Sequence, residues 1–81
     1  RYMFSSLPNV QQRALYGLAL SGETATSADV QKMSGLTAAN TASALFRLEK
    51  QGIIAKNKNK KRNVTYQIND YLLWLWITNK K

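Results

Sequence analysis

The chain has 81 residues, no cysteine and no histidine, and a net charge of +8 from 12 basic and 4 acidic residues. This length suffices for one small domain with a modest hydrophobic core. The lack of cysteine excludes disulfides and thiolate metal sites, and the lack of histidine removes the most common general base. The basic excess favours an anionic partner, nucleic acid ahead of a membrane surface, although a basic protein without such a partner is the plain alternative.

The sequence shows no export signal, and its longest wholly apolar run, residues 71–77, is far short of the roughly 20 residues that span a membrane. Together with the lack of cysteine, this predicts a cytoplasmic protein. Because the chain starts at Arg1 rather than at a methionine, we expect it to be a fragment of a longer protein. Residues 1–6 are predicted to be a linker or leading segment, and residues 7–81 a single domain.

Helix 1 is predicted over residues 8–21. Ser6 followed closely by Pro8 is a helix-start signal, and Gly22 ends the run of apolar residues at helical spacing. Gly17 lowers the helix propensity within this segment but permits a close approach by a neighbouring helix.

Helix 2 is predicted to be short, over residues 27–33. Thr26 followed three residues later by Asp29 forms a capping box in which aspartate replaces the usual glutamate. Val30 and Met33 are expected to share one face of this helix.

Helix 3 is predicted over residues 38–50, after a tight turn in which Gly35 can adopt a positive φ. Thr37 is expected to cap it and Gly52 to stop it. Two helices joined by a short glycine-containing turn are typical of a helix-turn-helix. The stripe expected to face the core is Thr41, Leu45 and Leu48, with Ala38, Ala44 and Phe46 near it.

A β-hairpin with a long charged tip is predicted after helix 3. Residues 53–55 are predicted as a strand, residues 57–63 as a loop without any apolar side chain, and residues 64–68 as an alternating strand. Residues 23–25 are a candidate for a brief additional strand. The fold class is therefore mainly α with a small β-hairpin.

The last predicted helix, residues 71–79, is apolar nearly all round and has a cap at Asp70. Trp74 and Trp76 cannot both face the core, because they are two positions apart. We expect one face to be covered by a second copy of the domain or by a missing upstream domain. The alternatives are that residues 2–4 fold over it or that it lies on a membrane, although it lacks a polar face.

The order of these elements, with the segment from Met33 to Ile54, resembles bacterial and archaeal winged helix-turn-helix regulators. The shared residues are Ser-Gly-Leu before the capping threonine and Arg-Leu-Glu-x-x-Gly-x-Ile at the end of helix 3. The resemblance implies that helix 3 is a DNA recognition helix and the hairpin a wing. RNA in place of DNA stays open at this point.

The resemblance implies contact positions on helix 3, whose N-terminal half would point toward the bases. Asn40 can pair with an adenine edge and Ala39 can pack on a thymine methyl, whereas Arg47 is better placed for a phosphate. The first half of the helix carries no charge, so weak or shape-led binding, or a helix that only packs the core, are alternatives. The positions are Thr37, Ala39, Asn40, Ser43, Arg47 and Lys50.

The hairpin tip holds five of the twelve basic residues. Lysines on a protruding loop act as point charges against phosphates, and the asparagines between them can add hydrogen bonds. A solubilising loop is the alternative, but a charged tip beside a helix-turn-helix favours a nucleic-acid-binding wing. The wing residues are Lys56, Lys58, Lys60, Lys61 and Arg62.

A second, narrower resemblance lies at the C-terminal end. The pattern Tyr-x-Ile-x-Asp at residues 66–70, followed by Leu72, Leu73 and Trp76, is similar to the winged-helix domain that ends prokaryotic AAA-type ATPases. It implies an alternative function, a protein-interaction or regulatory module of a larger P-loop ATPase. These 81 residues contain no Walker motif, no catalytic constellation and no metal cluster, so the chain is predicted to be neither an enzyme nor cofactor-dependent.

Overall fold

The computed structural model describes residues 6–58 and 63–79, which form four helices and one antiparallel hairpin. The predicted fold class, mainly helical with a small hairpin, is confirmed. In chain order the elements are α1 (Asn9–Ser21), α2 (Ser27–Ser34), α3 (Ala38–Lys50), β1 (Ile54–Lys58), β2 (Val64–Ile68) and α4 (Tyr71–Asn79).

The predicted bounds of helix 1 are confirmed to within one residue. α1 begins after Pro8, whose own side chain provides no cap. The Gln12 side chain instead donates to the Leu7 carbonyl oxygen at 2.8 Å and ties the first turn to the residues before it. The helix ends at Gly22, which has a φ of 122°.

α1 and α2 come into close contact at Gly17. A Cβ atom at this position would lie 3.0 Å from the Val30 carbonyl oxygen and 3.1 Å from the Ser34 Cβ. The Arg13 guanidinium also donates to the Ser34 carbonyl oxygen at 2.9 Å and fastens the end of α2 to α1. The close approach expected from Gly17 is confirmed.

The capping box of α2 is confirmed in both directions. The Thr26 hydroxyl accepts from the Asp29 backbone N–H at 3.1 Å, and the Asp29 carboxylate accepts from the Thr26 N–H at 3.2 Å. Val30 is buried, whereas Met33, one turn along the same helix, is 46% exposed. The contact line with α1 runs through Val30 and Ser34, which leaves Met33 at its rim.

The turn between α2 and α3 has the predicted chemistry. Gly35 adopts a φ of 75° and donates its N–H to the Gln31 carbonyl oxygen. Leu36 then enters the core, and the Thr37 hydroxyl accepts from the Asn40 N–H at 3.1 Å to cap α3. The left-handed glycine and the capping threonine therefore set the direction in which α3 leaves the turn.

α3 ends in a Schellman motif, which confirms the predicted stop at Gly52. Gly52 has a φ of 78° and donates to the Glu49 carbonyl oxygen, and Ile53 donates to the Leu48 carbonyl oxygen, each at 3.0 Å. Since the Ile53 N–H closes the helix, β1 begins one residue later than predicted.

The hairpin is longer than the sequence predicted. β1 and β2 pair in a register that runs from Ile54 opposite Ile68 to Lys58 opposite Val64. The predicted loop over 57–63 is therefore wrong at its start, since Asn57 and Lys58 belong to β1. Backbone pairing needs no apolar side chains, so a polar strand end is invisible to hydrophobic alternation.

The predicted strand at residues 23–25 is reduced to a single bridge. Ala25 donates its N–H to the Tyr66 carbonyl oxygen at 3.0 Å, and Tyr66 donates back to the Ala25 carbonyl oxygen at 2.7 Å. This pair joins the root of the hairpin to the connection between α1 and α2.

α4 begins at its predicted cap and lies against α1 and β2. The Asp70 carboxylate accepts from the N–H groups of Leu72 and Leu73 at 2.9 and 3.3 Å. Ile77 is buried, and Leu73 and Trp74 pack partly buried against the core. The hydrophobic core is thus shared by all four helices and the hairpin root.

Replacing Gly17 by alanine is expected to destabilise the domain by about 1–3 kcal/mol, because the new methyl group overpacks the contact between α1 and α2. On an unobstructed helix the same change would stabilise by roughly 1 kcal/mol. Urea denaturation of Gly17→Ala measures the difference, with Ser43→Ala at an exposed position of α3 as control. A Gly17→Ala domain as stable as the parent would contradict the close approach.

Candidate nucleic-acid interface

The outward face of α3 holds all six positions that the sequence predicted on this helix. Each of them is exposed. They are Thr37, Ala39, Asn40, Ser43, Arg47 and Lys50. The Thr37 hydroxyl is occupied as the helix cap, whereas the Asn40 side chain extends from the first turn with only its backbone N–H used by that cap.

A straight row of side chains runs along the middle of this face, and one of them was missed. Ala39, Ser43, Phe46 and Lys50 follow one another at i, i+4, i+7 and i+11, which places them on one line of a helix. Phe46 is 59% exposed, so the expectation that it lies near the core-facing stripe is wrong. The same expectation is wrong for Ala38, which is also exposed. We call the four residues of the row the outer stripe.

Phe46 was recognisable from spacing alone. It lies three residues after Ser43 and seven after Ala39, both of which were predicted to face outward. The apolar character of its side chain favoured the inward position, although residues at i, i+3 and i+7 share a face whatever their polarity. In the structure the Lys50 ammonium lies 5.4 Å from the centre of the Phe46 ring, a cation–π distance.

α3 is held in place by its opposite side. Thr41, Ala44, Leu45 and Leu48 are fully buried, and we call them the inner stripe. At the C-terminal end of the helix, the buried Gln11 side chain on α1 donates to the Gln51 side chain at 3.0 Å. The outer stripe is therefore presented by a helix that is packed along its whole length.

The hairpin carries two of the predicted wing residues within the described part of the chain. Lys56 and Lys58 lie on β1, opposite Tyr66 and Val64, and both are exposed. Because side chains alternate along a strand, the two lysines extend from the same side of the ribbon. Lys60, Lys61 and Arg62 lie outside the described residues.

The side chains between the lysines are partly used within the hairpin itself. The Asn57 amide donates to the Gln67 side chain oxygen at 3.1 Å across the two strands. At the root of the ribbon, Ile54 and Ile68 are buried in the core. The wing is therefore anchored at its base, and its outer half presents cations.

Two of the four acids are committed to helix N-termini. The Asp29 carboxylate accepts from the Thr26 N–H, and the Asp70 carboxylate accepts from the start of α4. Glu49 is exposed one residue before Lys50, and Glu23 is exposed in the connection before α2. Neither capping acid lies on the outer stripe or on the wing.

α4 presents a separate, apolar surface. Tyr71, Leu72 and Trp76 are 63%, 65% and 46% exposed. The two tryptophans predicted as an interaction surface differ in burial. Trp74 is partly buried against the core and stacks on Tyr71, with ring centres 5.6 Å apart. Of these two tryptophans, only Trp76 is an exposed side chain.

Residues 6–58 and 63–79 contain neither a membrane-spanning helix nor a cluster of metal ligands. No helix there is long and apolar enough to cross a bilayer. No group of three or more aspartate or glutamate side chains there is placed to hold a metal ion.

No protein-family model matches the chain, and no curated protein matches it. Three solved structures share its fold at TM-scores of 0.72, 0.70 and 0.68, with 17%, 21% and 24% sequence identity. The first is BpsR of Bordetella bronchiseptica, whose DNA binding is regulated by 6-hydroxynicotinic acid. The second is a mutant of ZitR of Lactococcus lactis in complex with DNA, and the third a predicted DNA-binding transcriptional regulator from E. coli.

These matches cover 93%, 90% and 93% of this chain, and they show that it has the winged helix-turn-helix fold that the sequence predicted. The chain spans 58% of the BpsR chain, 51% of the ZitR chain and 76% of the E. coli chain. The resemblance to the C-terminal domain of AAA-type ATPases stays a prediction, since none of these three structures is described as an ATPase.

Ser43→Glu tests whether the outer stripe is a contact surface for an anion. The substitution places a carboxylate at an exposed helical position, so the melting temperature should change little. If α3 contacts duplex DNA, binding should weaken at least tenfold, because the carboxylate would enter a groove whose potential is strongly negative. The matched control is Ser27→Glu, at the exposed first position of α2. Unchanged affinity of Ser43→Glu in a fluorescence anisotropy titration would remove α3 from the interface.

Proposed function

We propose that this domain binds double-stranded DNA, with α3 in the major groove and the wing against the sugar-phosphate backbone. The observation that carries the proposal is the pairing of an exposed, rigidly packed α3 with the exposed cations Lys56 and Lys58 on the neighbouring ribbon. This is the docking arrangement of helix-turn-helix proteins. The DNA binding named for BpsR and ZitR supports the proposal.

The net charge supports the same partner. A domain with a formal charge of +8 attracts a polyanion over several ångströms, and phosphate contacts by lysine release condensed counterions. Duplex DNA is favoured over duplex RNA on shape. The major groove of B-form DNA admits an α-helix, whereas that of A-form RNA is too deep and narrow for side chains to read.

The individual contacts belong to the proposal. Asn40 is exposed on the first turn of α3 and can form a bidentate pair with adenine, while Arg47 and Lys50 lie near its end and reach phosphates. No cofactor and no catalytic step are part of this function, and a DNA partner agrees with the cytoplasmic location predicted from the sequence. The charge of the wing is supplied by Lys56, Lys58, Lys60, Lys61 and Arg62.

The wing is tested by the salt dependence of binding. Lys56→Gln with Lys58→Gln should weaken binding and lower the slope of log Kd against log salt by about 0.9 for each lost phosphate contact. Extending the change to Lys60, Lys61 and Arg62 should abolish binding at physiological salt.

The control for this experiment changes the net charge without touching the wing. Asn9→Glu with Asn79→Glu removes the same two units of charge at the exposed ends of α1 and α4. Its salt slope should match that of the parent. If the wing variant binds as tightly as the control variant and with the same slope, the wing makes no phosphate contacts and the proposed docking is wrong.

The second part of the proposal concerns α4. Its exposed Leu72 and Trp76 belong to a helix that is apolar all round, and burying such side chains stabilises by about 1.5–3 kcal/mol each. We infer that this surface contacts a second copy of the domain or an adjoining domain of a longer protein. A paired domain would place two copies of α3 on successive turns of one DNA face.

Sedimentation velocity over a range of protein concentrations distinguishes the two partners. If the partner is a second copy, the parent dimerises and Leu72→Glu with Trp76→Glu is monomeric. The solubility of the variant should also rise, because a charged residue breaks the exposed apolar surface. A parent that stays monomeric at every concentration rules out the second copy.

A further inference from the structure

The centre of the outer stripe is an exposed aromatic ring with no structural role in the domain core. Phe46 is 59% exposed on a helix whose inner stripe is fully buried. It lies about 10 Å along the helix axis from Ala39, at 1.5 Å per residue. That length corresponds to about three base-pair steps, so the two residues can face base pairs about three positions apart in one site.

The chemistry of the stripe before Lys50 is apolar or weakly polar. It presents the Ala39 methyl, the Ser43 hydroxyl and the Phe46 ring, and the flanking Ala42 adds another exposed methyl. Recognition of guanine most often uses arginine or lysine in a bidentate contact. The charged residues of α3 are confined to its last four positions, 47–50, so the front of the helix offers no such contact.

One group on the edges of the base pairs matches this surface. The C5-methyl of thymine is the apolar group that B-form DNA presents in the major groove, and alanine and phenylalanine side chains pack against it. Burying the ring and the methyl together removes apolar surface from water on both partners. A polar base edge placed against the Phe46 ring would lose its water without gaining a hydrogen bond.

Lys50 would relate the position of the ring to the sugar-phosphate backbone of the DNA. Its ammonium lies 5.4 Å from the ring centre, and on the outer stripe it follows Phe46 toward the end of the helix. If this ammonium contacts a phosphate, the ring one turn before it can face the floor of the groove. A single docked orientation can therefore bring the Lys50 charge to the phosphates and the Phe46 ring to the bases.

We propose that Phe46 is a specificity-determining residue that reads thymine methyl groups, so that the domain prefers A·T-containing major grooves. This inference rests on the proposed DNA binding. It assigns the preference to the 5-methyl group itself rather than to the hydrogen-bonding edges of the A·T pair.

The test compares two duplexes that differ only in that methyl group. Both are about two helical turns long; one consists only of A·T pairs, and the other has deoxyuridine in place of every thymidine. Whatever register the domain adopts, the first duplex presents a methyl to Phe46 and the second does not. Fluorescence anisotropy should show at least threefold tighter binding to the thymine duplex, since one buried methyl group is worth about a fourfold change.

Phe46→Ala should lose most of this preference, because only the Ala39 and Ala42 methyls then remain to contact thymine methyls. Phe46→Leu keeps an apolar side chain and should retain part of the preference. Leu20→Ala is the matched control, because Leu20 is also an exposed apolar helical residue, 42% exposed on α1. It should keep the full preference. Thermal melts followed by circular dichroism check that each variant is folded.

The outcomes separate this inference from the function on which it rests. Equal binding of the parent to both duplexes, or a preference as large in Phe46→Ala as in the parent, overturns the reading of thymine methyls by Phe46 while DNA binding stands. Failure of the folded parent to bind either duplex in a low-salt buffer overturns the proposed function itself, and Phe46 would then be an exposed ring on a surface for another partner.

Discussion

The candidate interface depends on one packing arrangement, the burial of the inner stripe of α3 against α1 and the rest of the core. An α-helix is rigid in cross-section, so the burial of Leu45 and Leu48 at 1% and 0% exposure also fixes which side chains point away. The outer stripe is the geometric complement of that burial. A loosely packed α3 would present Ser43 and Phe46 in many orientations, whereas the packed helix presents them in one.

The packing of α3 also determines where the wing lies, because only a short connection separates α3 from β1. The Schellman motif at Gly52 turns the chain directly from α3 into β1, and the Ala25–Tyr66 bridge ties the ribbon to the body at a second point. The burial of Ile54 and Ile68 in the core provides a third point of attachment. Lys56 and Lys58 on β1 are therefore held in a set position relative to α3, although the ribbon is only two strands wide.

Most of the fold was predictable because its signals are local, and the errors share a physical cause. Hydrophobicity alone placed Phe46 near the core-facing stripe, although burial depends on whether another element covers the position. The same signal ended β1 before Asn57, although strand pairing is made by backbone groups. On the outward face of α3, the exposed polar positions were predicted from the sequence, whereas the exposure of Phe46 was not.

The sequence by itself determined where the helices begin and end and where the charge collects. Thr26, Thr37 and Asp70 satisfy N–H groups two or three residues away, and Gly35 and Gly52 adopt conformations that other residues avoid. These interactions close within a single turn of chain, so they can be read without knowing what lies across the core. Only the tertiary structure decided which apolar side chains stay outside. A buried core has room for one face of each helix, and the choice of that face depends on contacts between residues far apart in the sequence.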